Sequence, residues 1–383
     1  MSSEDRMPQI EKPKGAGMTG FAQIAGLLAL LLSAGCGGGA SGSGGGGGPV
    51  AASVSGTIAV ETAPSAIAVD STADTVYVAD LGTLSATSCA FSGAGVTVIN
   101  GATGTTAAVS LDVGPIAIAL NPGSHAAYVI QTVWGRMKAA QSCSNWQAFV
   151  TSIDTSTLAA TGTIYTTYTF PGLLGPEGIA VNQSTGDIYL SVLRTVGAHN
   201  SIEVLGNNSA TIPVGSEPLG VAINANTGKI YVANRDSNNV SVIDGGSNTV
   251  VATVTDPNAI APVAVAVNPT TNTIYVANAG SNNVTVIDGA TGSVAATIPV
   301  GTSPSGLDVD SQTNFIYVAN AGNSQSGDPG SITVIDGAQR TATTLTDAKA
   351  KHPVAVAVNS VTNKIYVANS GSNNVTVLAG AHQ

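Results

Sequence analysis

Ala261-Pro-Val-Ala-Val-Ala-Val-Asn-Pro-Thr-Thr-Asn-Thr-Ile-Tyr-Val-Ala-Asn278, continued by Ala279-Gly-Ser-Asn-Asn-Val-Thr-Val-Ile-Asp288, is the unit from which the chain is built. Its proline recurs as Pro64, Pro115, Pro176, Pro218, Pro262, Pro304 and Pro353, and its tyrosine as Tyr77, Tyr128, Tyr189, Tyr231, Tyr275, Tyr317 and Tyr366. Proline and tyrosine are thirteen positions apart in every copy, while successive copies are 51, 61, 42, 44, 42 and 49 residues apart. Every insertion therefore falls outside the Pro-to-Tyr segment, which marks that segment as the rigid part.

Within one unit, Val263 to Val267, Ile274 to Ala277, Val284 to Ile287 and Val294 to Val300 are short runs rich in β-branched residues, separated by Asn, Asp, Gly, Pro and Thr. Such runs read as four strands joined by three turns. Asn and Asp close turns by bonding their own backbone and tolerating left-handed dihedrals. A four-stranded meander cannot bury both faces alone, and a repeat of 42 to 44 residues predicts an all-β, seven-bladed propeller of four-stranded antiparallel blades. The seventh unit ends at Val375-Thr-Val-Leu378 without a fourth strand. Ser53-Val-Ser-Gly-Thr-Ile-Ala-Val60 matches Ser293-Val-Ala-Ala-Thr-Ile-Pro-Val300 at five of eight positions. The N-terminal strand is thus expected to complete the last blade and close the ring, removing exposed edges.

Tyr-Val-Ala-Asn followed by Ser-Asn-Asn-Val-Thr-Val-Ile-Asp resembles the YVTN type of β-propeller repeat, known from surface-layer and other cell-surface proteins of archaea and bacteria. The resemblance covers roughly residues 53 to 378 and is cleanest in copies four to seven. It implies the propeller fold and leaves function open, because related propellers include lactonases, lyases and binding scaffolds.

Residues 1–35 hold Arg6, Lys12 and Lys14, then the apolar run Ile24 to Ala34, then Gly35-Cys36. An eleven-residue run is too short for a bilayer core of about 30 Å, so it reads as a signal-peptide core. Leu32-Ser-Ala-Gly-Cys36 resembles a bacterial lipobox, with Ser33 where leucine is usual; the resemblance implies lipidation of Cys36. Residues 36–52 then form a Gly/Ser tether, its glycine-rich part reaching roughly 20 Å, and residues 53–383 the propeller. Gly37 stands where many inner-membrane lipoproteins carry aspartate, so the outer membrane or cell surface is the expected location, the periplasm the second.

The formal net charge of -10 disfavours nucleic acid and anionic lipid as partners, since both need a basic footprint. Cys89 and Cys143 lie in matching inserts of blades one and two, between the second and third strands. Outside the cytoplasm such a pair is expected to be oxidised to a disulfide. The inserts at residues 81–95, 131–148, 192–200 and 321–330 all follow second strands and so crowd one face of the ring. Functional loops group in this way on rigid scaffolds. Trp134 and Trp146, with Arg136 and Lys138 between them, are candidate interface anchors or plugs that hold the inserts to the blades.

Inner-strand positions four after the proline read Ala68, Ala119, Ala180, Ala222, Ala266, Asp308 and Ala357; one after it, Ser65, Ile116, Glu177, Leu219, Val263, Ser305 and Val354. Asp308 and Glu177 break these series with charge, and Glu217 and His352 stand just before the prolines of their blades. A carboxylate on an inner strand is costly unless paired or wet. Asp308 and Glu177 are accordingly ligand candidates, with backbone N–H acceptance as the alternative for Asp308. Asn239, Asn283 and Asn374 of Asn-Asn-Val-Ser/Thr read as turn residues. No histidine cluster with metal-ligand spacing and no phosphate loop is present, so no catalytic residue, metal or other cofactor is assigned.

The expectation is a monomeric, membrane-tethered, extracytoplasmic scaffold that binds a protein or glycan of the cell envelope through its insert-bearing face. The alternative is a hydrolase or lyase with a site at the axial mouth, which requires three or more polar side chains converging near Asp308 and Glu177.

Overall fold

The computed structural model describes residues 51–85, 91–132, 148–165, 173–194 and 200–382. The signal segment, Cys36, Cys89, Trp134, Cys143, Trp146 and His199 lie outside the described residues.

Seven four-stranded antiparallel sheets follow one another along the chain. Blade 5, the clearest copy, runs Pro262–Asn268, Thr273–Asn278, Asn283–Asp288 and Ser293–Pro299, so all four strands read from the sequence are present. The inner strands of the remaining blades start the units at Pro64–Asp70, Pro115–Asn121, Leu173–Val181, Pro218–Asn224, Pro304–Asp310 and Pro353–Asn359. A 3-10 turn at Pro122–Ser124 and a two-stranded ribbon, Thr83–Leu84 with Phe91–Ser92, in the first insert are the departures from the meander.

Ring closure is as the end sequences predict. Ser53–Ala59 is the outer strand of the seventh blade, antiparallel to Asn374–Ala379, with a bulge between Val54 and Gly56. Asp347, in the loop entering that blade, ties the strands together by accepting from Thr376 Oγ1 at 2.7 Å and Thr57 Oγ1 at 3.5 Å. Asp256 does the same in blade 5, accepting from Thr285 and Thr297 at 2.7 Å each.

The apolar side chains form seven cores, one per seam between neighbouring blades. Strand alternation explains this: Tyr275 and Ala277 face blade 6, where they meet Ile316 and Val318, while Ile274 and Val276 face blade 4 and meet Tyr231 and Ala233. A second strand buried on both faces must be apolar throughout, which is why it reads Ile-Tyr-Val-Ala rather than as an alternation. Full burial of each large side chain contributes about 1.5–3 kcal/mol. The seam between blades 7 and 1 is built in the same way from Tyr366 and Ala368 against Val76, Val78 and Ile99.

The Ser-Asn-Asn turn is a polar bracket. In blade 5, Ser281 Oγ accepts from Ile260 N at 3.0 Å, Asn282 Oδ1 from Ser303 N of the next blade at 2.8 Å, and Asn283 Oδ1 from Asn278 Nδ2 at 2.8 Å. Asn238 and Asn373 reach across to Ala261 N and Ala63 N in the same way. The glycosylation-like asparagines are thus held in the turns: Asn283 and Asn374 donate their Nδ2 to Asn258 and Lys349 carbonyls.

Candidate functional site

The residue before each conserved proline sits where the loop from the previous blade meets the loop between strands two and three. Ala63, Glu217, Ala261, Ser303 and His352 hold φ values of 52 to 56° there, a left-handed conformation costing a non-glycine residue about 1–2 kcal/mol. Backbone bonds hold it, as in Ala279 N to Ala261 O at 2.9 Å and Arg235 N to Glu217 O at 2.8 Å. These bonds fix a side chain of each of these five blades at the rim of the insert-bearing face.

At three described rims this pair is apolar or small, Ala63 with Leu81, Ala261 with Ala279 and Ser303 with Ala321, and at a fourth His352, its ring on the Ala321 carbonyl, pairs with Ser370. Blade 4 instead has Glu217 with Arg235, and Asp236 follows where the others have glycine. Arg235 Nη1 lies 2.8 Å from Glu217 Oε1, and its Nε lies 3.7 Å from Asp236 Oδ1. Glu177, half-buried on the inner strand of blade 3, is the third member. Burial pushes its carboxyl up to about 7 despite the Arg235 charge. Burial also raises Glu217 to about 7, helped by Asp236 and Glu177 and opposed by Arg235.

An ion pair as exposed as this one, with Arg235 at 40% and Glu217 at 19%, contributes at most about 1 kcal/mol. Two carboxyls whose ionisation burial opposes are not maintained by so small a gain. Chemically, the group takes up or releases a proton near neutral pH and presents carboxylate oxygens to a cation or a hydroxyl donor.

The sequence candidates separate in space. Asp308 lies on the inner strand of blade 6, and both its oxygens are engaged: Oδ1 accepts from Val309 N at 2.8 Å and Oδ2 from Val358 N of blade 7 at 2.9 Å. Its carboxyl is raised to about 6 by burial, against those two N–H groups. This is the backbone-acceptor reading of Asp308. His352 donates Nδ1–H to the Ala321 carbonyl of blade 6 at 2.9 Å and so ties two blades. Glu177 and Glu217 lie within the field of the same Arg235, and Arg235 and Asp236, absent from the sequence candidates, complete the group. Their signal was available as a charged break in the alanine-glycine positions after Tyr-Val-Ala-Asn. Among the described residues no group of three or more His, Cys, Asp or Glu is placed to hold a metal ion, and no helix is long and apolar enough to cross a membrane.

No protein-family model matches the chain, and no curated protein matches it. Among solved structures, it is similar to Hydrazine Synthase of Kuenenia stuttgartiensis, with a TM-score of 0.63 and 20% identity over 83% of this chain and 95% of that one. At this identity the likeness bears on the fold, a seven-bladed β-propeller, and on nothing finer.

Proposed function

We propose that the chain is an extracytoplasmic propeller of the YVTN type, tethered through Cys36, that holds a protein or glycan of the cell envelope on its insert-bearing face. In this reading Glu177, Glu217 and Arg235 form the recognition point. The observation that carries it is the convergence, at one rim, of charges foreign to the repeat. A repeat protein provides its own control: positions that serve only the ring are filled alike in every blade. The test is a pull-down from the native envelope with the soluble domain starting at residue 49, wild type against Glu177→Gln/Arg235→Ala. The expected result is a specific partner for the wild type that the variant loses while keeping its melting temperature. Equal capture by both would remove the recognition point. For the tether, Cys36→Ser is expected to move the protein from the lipid fraction to the soluble one.

A second reading, a hydrolase or lyase, draws on the same pair. Two neighbouring carboxyls near 7 suit general acid–base work. Turnover of a lactone or glycoside panel that disappears in Glu177→Gln, with a rate profile bending near pH 7, would favour it over binding alone.

A further inference from the structure

On the face opposite the inserts, side chains of the repeat bridge the seams. Asn224 Nδ2 donates to Asn272 Oδ1 at 2.8 Å, Asn268 Nδ2 to Asn314 Oδ1 at 2.8 Å, and Asn359 Nδ2 to Asp74 Oδ1 at 2.7 Å. The receiving position is Gly186 in blade 3 and Gly228 in blade 4, and between blades 6 and 7 Asp310 and Asn363 each keep a buried oxygen without a partner.

The seam between blades 1 and 2 differs in kind. Asp70, which like Asp310 of blade 6 lacks an N–H to give, stands at the donating position, and His125, the one imidazole among the receiving residues, stands at the other with φ 51° against 53° for Asn272. Thr155 occupies the place that glycine holds in the other six blades as Gly101, Gly206, Gly245, Gly289, Gly337 and Gly380. In blade 5 a Cβ at that place would stand 2.6 Å from the Asn272 carbonyl oxygen. Blade 2 accepts the threonine while keeping the backbone bond, Thr155 N to His125 O at 2.9 Å. Where these three departures meet, a cavity of about 830 Å³ opens between the hairpin turns of the two blades, within the size range of small-molecule sites.

The lining defines what fits. Asp70 uses Oδ1 on the N–H groups of Thr72 and Ala73, while its second oxygen has no such turn bond. His125 is exposed, and Thr155 and the buried Tyr77 line the same cleft. Val98, Ala107 and Leu158 add apolar surface to this hydroxyl-rich wall. Threonine and serine hydroxyls share the lining with short apolar side chains, and Asp70 is its one carboxylate and His125 its one imidazole. An anion would meet the Asp70 charge, and a multivalent cation would find too few oxygens. A sugar presents hydroxyls that both give and accept, and C–H faces that need apolar cover.

We propose that the cleft between blades 1 and 2, lined by Asp70, His125 and Thr155, is a binding site for a neutral carbohydrate, separate from the rim at Glu177 and on the opposite face. The experiment is saturation-transfer NMR on the soluble domain with glucose, galactose, mannose, N-acetylglucosamine and their short oligomers. The control variant, Asp70→Asn/His125→Asn/Thr155→Gly, writes the residues of the seam between blades 5 and 6 into this one. At least one sugar is expected to bind the wild type, and the variant, with its melting temperature retained, to bind it at least tenfold more weakly. Should the triple variant not fold, Asp70→Asn alone is the comparison, with a severalfold loss expected. Absence of transfer from every sugar, or undiminished binding by the variant, overturns the proposal. So does binding that survives there and falls in Glu177→Gln, because it places the sugar on the other face.

Discussion

Blades 4 and 5 carry the same Ser-Asn-Asn turn, yet their rims differ. In blade 5 the polar side chains of the turn are engaged in holding the ring: Ser281 and Asn282 serve the neighbouring loops and Asn283 the core asparagine Asn278. In blade 4, Ser237, Asn238 and Asn239 do the same work, and Glu217 and Arg235 are added above it. Hydrogen bonds of this kind contribute about 1 kcal/mol each, so the repeat residues explain the architecture without the charged pair. What departs from the repeat is what remains available for a partner.

The sharpest way to break that comparison is through blade 7, which is regular at its rim but assembled from both chain ends. Deleting residues 53–61 removes the outer strand that pairs with Asn374–Ala379 and the Ile58 and Val60 side chains packed against the seam with blade 1. The expected loss is several kcal/mol, seen as a lower urea midpoint. An unchanged midpoint would mean that regular blades do not need their fourth strand, and that the ring's stability lies wholly in the inner three.

A second test sits inside the repeat. Asp80 of blade 1 replaces the asparagine of Tyr-Val-Ala-Asn; Oδ2 accepts from Thr97 N at 3.1 Å and Oγ1 at 2.6 Å, while Oδ1 is buried without a partner. Burial raises this carboxyl to about 7. Unfolded, it ionises near 4, so between about pH 4 and 7 the folded state holds the proton longer and stability falls as pH rises. Asp80→Asn keeps the shape and removes the charge. It is expected to stabilise by about 2 kcal/mol at pH 8 and by much less at pH 4, measured by urea midpoints at both. Equal effects at the two pH values would show that the carboxyl is not held neutral.

The fold was legible because its causes are local and repeated. The thirteen-residue spacing from proline to tyrosine, the Asn-rich turns and the match of Ser53 to Val60 with Ser293 to Val300 each name a strand, a turn or a closure present in the fold. The rim was legible in half. Glu177 stood out as a charged break on an inner strand and Glu217 as a charge just before a proline; Arg235 and Asp236 also break the small-residue positions after Tyr-Val-Ala-Asn, but only the backbone pairing of Arg235 with Glu217 shows that they reach the same rim. Asp308 stood out equally and proved to serve the backbone, because a carboxylate beside a sheet edge finds N–H groups that sequence does not display. The cleft between blades 1 and 2 was not legible: His125 reads as a turn residue, and Asp70 and Thr155 are ordinary until the asparagine bridges of three other seams show the contrast.

The smallest expected effect sharpens the comparison most, because it addresses the rim itself. Burial moves proton release by Glu177 from about 4.5 when unfolded to about 7 when folded. Stability then declines as pH rises through that window and levels off above it. Glu177→Gln is expected to leave the urea midpoint at pH 4 unchanged and to raise it slightly at pH 8, giving a shallower slope between. The effect is modest because Glu177 is only partly buried and its partner Arg235 is 40% exposed, so solvent screens the group. Arg235→Ala acts in the opposite sense, since the guanidinium lowers both carboxyls: without it the decline with pH extends further upward. The charged rim would lose its separate standing if wild type and Glu177→Gln gave parallel stability curves from pH 4 to 8, for the carboxyl would then be an ordinary surface group like those of any other blade.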